Sequence, residues 1–580
     1  MPNASPDRPT PRSLLTYVSC SLFFSLTLLF FSPLEVILSN LRSFRFSFQN
    51  VWLFQLLVAL AVAGLLTGIA LLLPRKAGFI FSSLLAAGSL ASWLQVMFFN
   101  GGMVDLTGEE MQVPPAQMIL NILLWVAVLL ALLLLVLRLL RRRAALAHLL
   151  LRVVSAVLLV MQCAGFVSLA VSADYPDNKS VVYLSSDGVF EVGKGTNVVL
   201  IVLDTADGEY VQDMLAQYPD LYQSLSGWTY YPNAVSLYSR TYPSMTYLLT
   251  GERCFYDVEP EDYVANAFRS SRFLPALKER GTDIRFYSMD PDILGEEGIR
   301  YVENGQSHED ERKNLDYFQL EKHLLRIGLY KSAPYLLKNF FRYDLDIINL
   351  SSFTYRPYQL YLDPYFYDKI RQNGGLSVSD RYEDAFRIYH FWSAHPGAYW
   401  NSDLQRASDL TEAEILRGSF RCVEEYVEGL KKAGVYDQSL IIVTADHGSS
   451  GGDRVLLERD RASCPLLMVK YPHSDLLQPM TVNRAPVSHE DLFATVYEAF
   501  SCENAGAYGS GKKLSDFEPG APRKRLSYYA ALDEKNHEVA LIEYEIDGDA
   551  ADFASWHKTG NYWDILYSFN SVSKKKYGGS

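Results

Sequence analysis

The hydrophobic positions of this chain follow two different patterns, which change near residue 172. Before that point, five apolar runs of about 20 residues are long enough to cross the hydrocarbon core of a bilayer as α-helices. They extend roughly from Leu14 to Leu38, Val51 to Leu73, Gly78 to Phe98, Met118 to Leu140 and Leu149 to Val171. The pattern therefore predicts a membrane domain over residues 1–172 with five transmembrane helices.

Beyond the last apolar run, the pattern becomes that of a globular α/β domain. Residues 173–195 are polar and turn-rich, which predicts a linker and a short strand. Asn197–Leu203 and Ser439–Thr444 are short apolar runs typical of central parallel strands, and the helical periodicity of Leu410–Ala433 is typical of a crossover helix. We therefore predict that residues 196–580 form a domain with a doubly wound, mostly parallel central sheet.

One segment of this second domain has a different composition. Between residues 314 and 370, aromatic residues alternate with Lys and Arg, for example at Tyr330-Lys331 and Phe341-Arg342. Such segments are typical of helices at a membrane surface. An insertion that packs its aromatic side chains inward has the same composition, so the sequence leaves both interpretations open. We call this segment the aromatic-basic insertion.

The charges beside the apolar runs predict on which side of the membrane each loop and the second domain lie. Arg75 and Lys76 lie in the second loop and Arg141–Arg143 in the fourth, whereas the third loop is acidic. Lys and Arg are retained on the cytoplasmic side. Everything after Val171 is therefore predicted to be extracytoplasmic, in a multi-pass protein of the cell membrane.

Net charge and cysteine content exclude some classes of function. The 580-residue chain carries a net charge of −13, which argues against nucleic acid as a partner. Four of its six cysteines, Cys254, Cys422, Cys464 and Cys502, follow the spans, so an oxidising compartment would allow two disulfides. None has the Cys-x-x-Cys spacing of a thiolate zinc site.

Three separated segments carry the candidate chemistry. Asp204 follows the first predicted strand, Asp446 and His447 follow the second, and Thr241 begins Thr-Tyr-Pro-Ser-Met-Thr-Tyr-Leu-Leu-Thr-Gly251. The carboxyl ends of parallel strands meet at one edge of a sheet. A hydroxyl group is a weak nucleophile unless a cation or a base activates it. Taken singly, Thr241 could be an ordinary helix N-cap, but the combination predicts a metal site with a hydroxyl nucleophile.

The segment from Thr241 to Gly251 resembles the sulfatase signature Cys/Ser-x-Pro-x-Arg followed by Leu-Thr-Gly. The chain is similar to the sulfatase-like branch of the alkaline phosphatase superfamily. Its five-span layout resembles the membrane-anchored phosphotransferases of the lipoteichoic acid synthase and lipid A phosphoethanolamine transferase type. Thr241 replaces the Cys or Ser that sulfatases convert to formylglycine, and Met245 replaces the signature Arg, which argues against sulfate-ester hydrolysis. Threonine is what the phosphotransferases use.

This resemblance implies a set of ligands for one divalent cation. Asp204, Thr241, Asp446 and His447 would hold it, and three oxygens with one nitrogen suit Zn or Mn. Thr241 would attack phosphorus and form a phosphothreonine intermediate.

The resemblance also gives three further histidines a role in binding the substrate. His390 and His395, which precede Pro-Gly-Ala-Tyr399, resemble a pair of histidines in the family. His395 would bind a phosphoryl oxygen or act as an acid, and His390 would support it. His489 lies in a segment that resembles a helix start of the family, where Ser488 as an ordinary N-cap is the simpler interpretation.

The resemblance implies a membrane-anchored enzyme that moves glycerol phosphate or phosphoethanolamine. The donor would be a phospholipid and the acceptor an extracytoplasmic glycan or lipid. Two alternatives stay open. One is a metal-dependent phosphodiesterase or phosphatase with a second metal near His390, His395 and His489. The other is a lipid-binding pseudoenzyme with a regulatory role.

Overall fold

A computed structural model describes residues 11–41, 43–100, 111, 113–173, 175, 181–308, 315–353, 363–392, 400–448, 464–502, 509–532 and 538–568. The chain divides into two compact units. The helical unit contains Met1–Lys179 and Glu309–Arg356, and the α/β unit contains Ser180–His308 and Pro357–Ser580. The helical unit is thus assembled from two stretches of chain that are about 130 residues apart.

The helices and strands of the described residues are numbered in chain order. The helices are α1 (Pro11–Ser25), α2 (Ser32–Ser39), α3 (Phe48–Leu72), α4 (Arg75–Phe98), α5 (Pro115–Arg142), α6 (Ala144–Ser172), α7 (Gly208–Gln217), α8 (Leu221–Ser224), α9 (Thr241–Thr250), α10 (Pro260–Ser270), α11 (Phe273–Glu279), α12 (Gly295–Gly298), α13 (Tyr317–Ser332), α14 (Tyr335–Lys338), α15 (Leu345–Ser351), α16 (Asp363–Gln372), α17 (Glu412–Lys432) and α18 (Leu492–Ala499). The strands are β1 (Val181–Leu184), β2 (Glu191–Val192), β3 (Asn197–Leu203), β4 (Trp228–Tyr230), β5 (Ala234–Val235), β6 (Asp283–Ser288), β7 (Gly305–His308), β8 (Ser377–Val378), β9 (Ala385–Phe391), β10 (Leu440–Thr444), β11 (Leu467–Lys470), β12 (Thr481–Val482), β13 (Val487–Ser488), β14 (Lys524–Leu532), β15 (Glu538–Asp547) and β16 (Trp556–Asp564).

Five helical segments of the helical unit are long and apolar enough to cross a membrane, as predicted. They are Pro11–Ser39, Phe48–Leu72, Arg75–Phe98, Pro115–Arg142 and Ala144–Ser172. The first span joins α1 to α2 through a π-helical stretch. Proline cannot donate the usual helical hydrogen bond, and Pro33 at the start of α2 explains why the regular pattern is interrupted there.

The aromatic-basic insertion contributes α13, α14 and α15 to the helical unit. Leu320, Leu324 and Ile327 lie on one face of α13 and are buried in the same apolar cluster as Leu34 and Ile37 of the first span. Their i, i+4, i+7 spacing produces one continuous apolar stripe on the helix. The insertion therefore packs one face against the spans.

A seven-stranded sheet in the order β12-β4-β11-β10-β3-β9-β6 forms the centre of the α/β unit. β10, β3, β9 and β6 are neighbours and run parallel, whereas β11 is antiparallel to both of its neighbours. This confirms the predicted mostly parallel sheet.

Strand β3 is buried on both faces because helices cover both sides of the sheet. Val198, Leu200 and Val202 belong to one core cluster, which includes side chains of α9, α10, α11 and α18. The alternate positions, such as Val199 and Ile201, belong to a second cluster with α7, α16 and α17. Successive side chains of a strand point to opposite faces. The unit thus has three layers, and an uninterrupted apolar strand is what such a centre requires.

All six cysteines lie within the described residues, and the structure joins none of them in a disulfide. Cys254, Cys422 and Cys464 are buried at separate places in the α/β unit. The two disulfides that the composition allowed are therefore not formed in this structure.

Candidate active site

The carboxyl ends of the four parallel strands lie side by side at one edge of the central sheet. In the register, Val202 of β3 pairs with His390 of β9 on one side and with Thr444 of β10 on the other. Asp204 and Asp446 each follow two residues later, so the two carboxylates leave adjacent strands at the same level. This arrangement is the one that the sequence-based argument about strand ends requires.

Asp204, His390 and Asp446 form a buried cluster. One ligand atom from each lies within 4.8 Å of the ligand atoms of the other two. His390 Nε2 is 3.7 Å from Asp204 Oδ2. The Thr205 amide donates a hydrogen bond of 3.0 Å to Asp446 Oδ1. Thr205 directly follows Asp204 and has a φ of 57°, which is an uncommon left-handed conformation for a threonine.

Thr241 and His447 adjoin this cluster on the side of Asp446. Thr241 Oγ1 lies 3.3 Å from His447 Nε2, and the same nitrogen lies 3.3 Å from Asp446 Oδ2. His447 Nδ1 is 2.7 Å from the Gly448 carbonyl oxygen, which can only accept a hydrogen bond. Nδ1 must therefore carry the proton, and in the neutral ring Nε2 keeps its lone pair for the Thr241 hydroxyl or for a cation.

Helix α9 holds Thr241 at its first position. The N-cap residue is Arg240, so Thr241 is not the helix N-cap. Ser244, one turn further along, donates a hydrogen bond of 2.5 Å to the Asp446 carbonyl oxygen and fixes α9 to the end of β10. The amino terminus of a helix favours negative charge. Thr241 therefore lies where a phosphoryl group would be stabilised.

The electrostatics of the cluster favour the arrival of a cation. Burial, followed by the charges of Asp446 and Asp290, raises the pKa of Asp204 well above its usual range. Burial also opposes ionisation of Asp446, but the charges of His447 and His390 and the hydrogen bond from Thr205 outweigh it, so the pKa of Asp446 is lowered. The cluster thus holds one ionised carboxylate and a second whose ionisation needs added positive charge.

Asp290 was missed in the sequence analysis. It lies two residues beyond the end of β6, so the argument that selected Asp204 and Asp446 applies to it as well.

His390 was predicted only to support His395, but the structure places it among the carboxylates, within 4.8 Å of Asp204 and Asp446. Its Nδ1 is 3.1 Å from Ser288 Oγ, and this oxygen also accepts a 3.0 Å hydrogen bond from the Asp290 amide. Ser288 therefore orients the ring so that Nε2 faces Asp204. His395 lies outside the described residues.

His489 is fully buried behind the end of β10. Its Nε2 lies 3.3 Å from Thr444 Oγ1. Burial lowers the pKa of His489 to about 4, and the charge of Asp446 partly opposes this. The ring is therefore neutral at physiological pH. Ser488 and Asp491 form a reciprocal capping box, as the simpler interpretation of this segment predicted.

The side chains of the cluster suit a divalent cation. Two carboxylates, imidazole nitrogens and a hydroxyl are donors that Zn and Mn accept. Asp204 Oδ1 is buried and has no hydrogen-bond partner among the described residues. A buried polar atom is normally paired, so this oxygen is suited to a ligand. The two carboxylates lie together with His390, and Asp446 also adjoins His447, which in turn contacts Thr241.

Comparison with known proteins returned no matching family model and no matching curated protein. Among solved structures, the phosphonate monoester hydrolase from Silicibacter pomeroyi is 16% identical with a TM-score of 0.36, and covers 63% of this chain and 88% of its own. The lipoteichoic acid synthase LtaP from Listeria monocytogenes is 13% identical with a TM-score of 0.36, and covers 68% of this chain and 92% of its own. An alkaline phosphatase superfamily protein from Vibrio parahaemolyticus is 13% identical with a TM-score of 0.35, and the match covers 67% of this chain and 83% of that protein.

These solved structures include a lipoteichoic acid synthase and a protein of the alkaline phosphatase superfamily. Their TM-scores are all below 0.5 and their identities are 16% or lower. The function of this chain has to be inferred from its own residues.

Proposed function

We propose that this protein is a membrane-anchored, metal-dependent phosphotransferase of the sulfatase-like branch of the alkaline phosphatase superfamily. The observation that carries the proposal is the position of Thr241. Its hydroxyl lies at the start of a buried helix, 3.3 Å from His447 Nε2, and that nitrogen lies 3.3 Å from Asp446 Oδ2 of the carboxylate pair. A nucleophile, its activating groups and a site for phosphoryl charge thus occur together.

The proposed reaction has two transfers with the same geometry. In the first, Thr241 Oγ forms a bond to the phosphorus of a phospholipid, the bond from phosphorus to the lipid alcohol breaks, and the threonine proton passes to that alcohol. In the second, an acceptor hydroxyl attacks the phosphothreonine, and Thr241 regains its proton. The products are a lipid alcohol and an acceptor that carries the phosphoryl-linked head group.

The residues of the chain divide the work of these steps. In the metal-free chain, His447 Nε2 orients the Thr241 hydroxyl, since its Nδ1 is committed to the Gly448 carbonyl. With a cation bound, the same lone pair would be a metal ligand, and the threonine proton would pass to the lipid alcohol. The amino terminus of α9 stabilises the phosphoryl oxygens. When bound by Asp204, Asp446, His447 and Thr241, Zn or Mn would lower the pKa of the hydroxyl and offset phosphoryl charge.

The donor and acceptor are proposed from the sequence resemblance and from the spans. Five spans would keep the chain in the membrane that contains the lipid donor, and the loop charges favour an extracytoplasmic site. We therefore propose glycerol phosphate or phosphoethanolamine as the group transferred, and an extracytoplasmic glycan or lipid as the acceptor. His395 would bind or protonate the phosphoryl group, and His390 and His489 would support it.

Mass spectrometry of the intact protein from its native membrane tests this proposal. We expect a phosphoryl-linked adduct on the peptide that contains Thr241, and its mass would identify the head group. Thr241→Ala should abolish both the adduct and turnover, whereas Thr250→Ala at the other end of the same helix should keep both. Full turnover by Thr241→Ala would refute the nucleophile assignment.

A metal-dependent hydrolase is the second candidate, and the position of His390 favours it. His390 is not needed as a ligand of a single ion, yet its ligand atom lies within 4.8 Å of those of both carboxylates, so the site has further donors for a second ion. Such an enzyme would pass the phosphoryl group to water. Metal analysis of the purified chain separates the candidates, because two tightly held ions per chain favour hydrolysis and one favours transfer.

A further inference from the structure

Part of the aromatic-basic insertion lies across one end of the spans. At its start, the Tyr317 ring is 4.8 Å from the ring of Phe54, the seventh residue of α3. At its end, the Tyr335 amide donates a 2.9 Å hydrogen bond to Asn121, the seventh residue of α5, and the Tyr335 hydroxyl donates to the Phe99 carbonyl just after α4. At 1.5 Å per residue, these contacts lie within about 10 Å of the same end of three spans.

The first span fixes α13 in this position. The hydroxyls of Ser32 and Ser332 are 2.7 Å apart, and Lys331 forms an ion pair with Glu35. Gly328 packs so closely that a Cβ atom there would lie 2.3 Å from the backbone oxygen of Leu28. This is the close packing of a structural element and not the loose contact of a surface segment.

The opposite side of the same segment is exposed and apolar. Phe318 and Phe340 are 70% and 75% exposed, and Leu336 between them is 58% exposed. Three large apolar side chains exposed within one segment of 23 residues mark a surface for lipid or for another protein.

Positive charge accompanies this apolar surface. Lys322 and Arg326 are exposed on the same side of α13, and the Lys322 ammonium lies 4.4 Å from the centre of the Phe318 ring. Residues 317–342 contain five basic residues and one acidic residue, in a chain whose net charge is −13. Basic and aromatic residues on one face are typical of helices that lie at the boundary between head groups and acyl chains.

We propose that residues 317–341 lie in the bilayer at the level of the head groups, with Phe318, Leu336 and Phe340 among the acyl chains and Lys322 and Arg326 beside anionic head groups. Lipid is favoured over a protein partner because this surface continues the apolar exterior of the spans at the end where α13 packs against them. Its charge also complements anionic lipid. The insertion would thus hold the chain to one leaflet independently of the linker after the last span.

Spin-label accessibility in nanodiscs tests the depth of this segment. Nitroxide labels are placed at Phe318→Cys and Phe340→Cys in a Cys163→Ser background of the full chain. Cys163 itself, exposed within the last span, gives the reference for the acyl region. Leu477→Cys in the α/β unit, where Leu477 is 93% exposed, gives the reference for water.

We expect both labels to be more accessible to oxygen than to a water-soluble nickel chelate, with values shifted from the Leu477 reference toward Cys163. We also expect a deeper shift in discs that contain phosphatidylglycerol than in discs of phosphatidylcholine alone, and loss of this difference in Lys322→Gln/Arg326→Gln. Labels as accessible to nickel as the Leu477 reference would overturn the proposal. Labels shielded from both reagents would also overturn it and would identify a protein contact, and depths independent of lipid charge would refute the role of anionic head groups.

Discussion

Replacement of Asp204 by Asn should change the stability of the protein in opposite directions with and without metal. In the metal-free protein, Asp204 is a buried carboxylate beside Asp446, with its pKa raised first by burial and then by that neighbouring charge. Between its unfolded pKa and this raised pKa, the folded state binds more protons than the unfolded state, so stability falls as the pH rises through that window. Asn removes this cost because it stays neutral, and its amide can donate to Asp446.

The distance between the two carboxylates sets the size of the effect. Their ligand oxygens are no more than 4.8 Å apart, and at that limit, with an effective dielectric constant of about 20, two like charges repel by about 3.5 kcal/mol. Proton uptake by Asp204 already relieves part of this repulsion. We therefore expect Asp204→Asn to stabilise the metal-free protein by about 1–3 kcal/mol at neutral pH.

Metal should reverse the order of the two proteins. A ligand at a hundred times its Kd stabilises a folded protein by about 2.7 kcal/mol. The unmodified chain should gain this from Mn or Zn, whereas Asp204→Asn has lost a carboxylate ligand and should gain much less. The assay is thermal unfolding of the full chain in nanodiscs, measured in chelator and again over a series of metal concentrations.

Asp213→Asn serves as the matched control, because Asp213 is an exposed carboxylate on α7 of the same unit. It should change stability by less than about 0.5 kcal/mol and leave the metal response intact. If Asp204→Asn is less stable than the unmodified chain in chelator, or if it responds to metal as the unmodified chain does, the reasoning about this carboxylate pair is wrong.

Three further outcomes are expected. His489, whose pKa is lowered to about 4 by burial, must remain neutral to fold, so stability should fall by about 3 kcal/mol as the pH drops from 6.5 to 4; His489→Gln should flatten this acid limb, and an unchanged slope in unfolding measurements would contradict the assignment. Ser288→Ala should reduce turnover about 10–100-fold, because the His390 ring beside Asp204 loses the hydroxyl that orients it; Ser288→Thr, which keeps a hydroxyl, should restore turnover in a steady-state assay. Gly328→Ala should destabilise the helical unit by about 1–3 kcal/mol through overpacking, whereas Gly165→Ala, where no atom lies near the added methyl, should be neutral or slightly stabilising; equal protease resistance of the two variants would count against the close packing of α13.

The ends of strands β3 and β10 could be predicted from sequence because their signal is local. Asn197–Leu203 is apolar throughout, and its burial on both faces required only that helices cover both sides of the sheet. Asp204 and Asp446 are then identified as site residues because each lies just beyond the end of its strand.

Strand β9 could not be recognised because its sequence mixes apolar and polar residues. Arg387 lies in the middle of this fully buried strand and is stabilised by an ion pair of 2.8 Å with Asp283, a residue more than 100 positions away. Polar side chains with distant partners give no periodic signal. Consequently the role of His390, which β9 places beside the carboxylates, could be seen only in three dimensions.

The environment of the aromatic-basic insertion was undetermined for a similar reason. The apolar stripe of α13 packs against the first span, about 290 residues earlier in the chain, so nothing in the local sequence identifies its partner. Aromatic and basic residues on a helix are compatible with a globular core as well as with a membrane surface. Only the tertiary contacts distinguish the two.

The return of residues 309–356 to the helical unit bears on how the α/β unit can be released from the cell. A protease that cut only the stretch after the last span would sever one attachment and leave the second in place. Shedding into the surroundings would require cuts on both sides of the returning segment as well. A recombinant soluble fragment that began at residue 181 would, for the same reason, expose Leu320, Leu324 and Ile327 to water and invite aggregation, unless that segment were excised too.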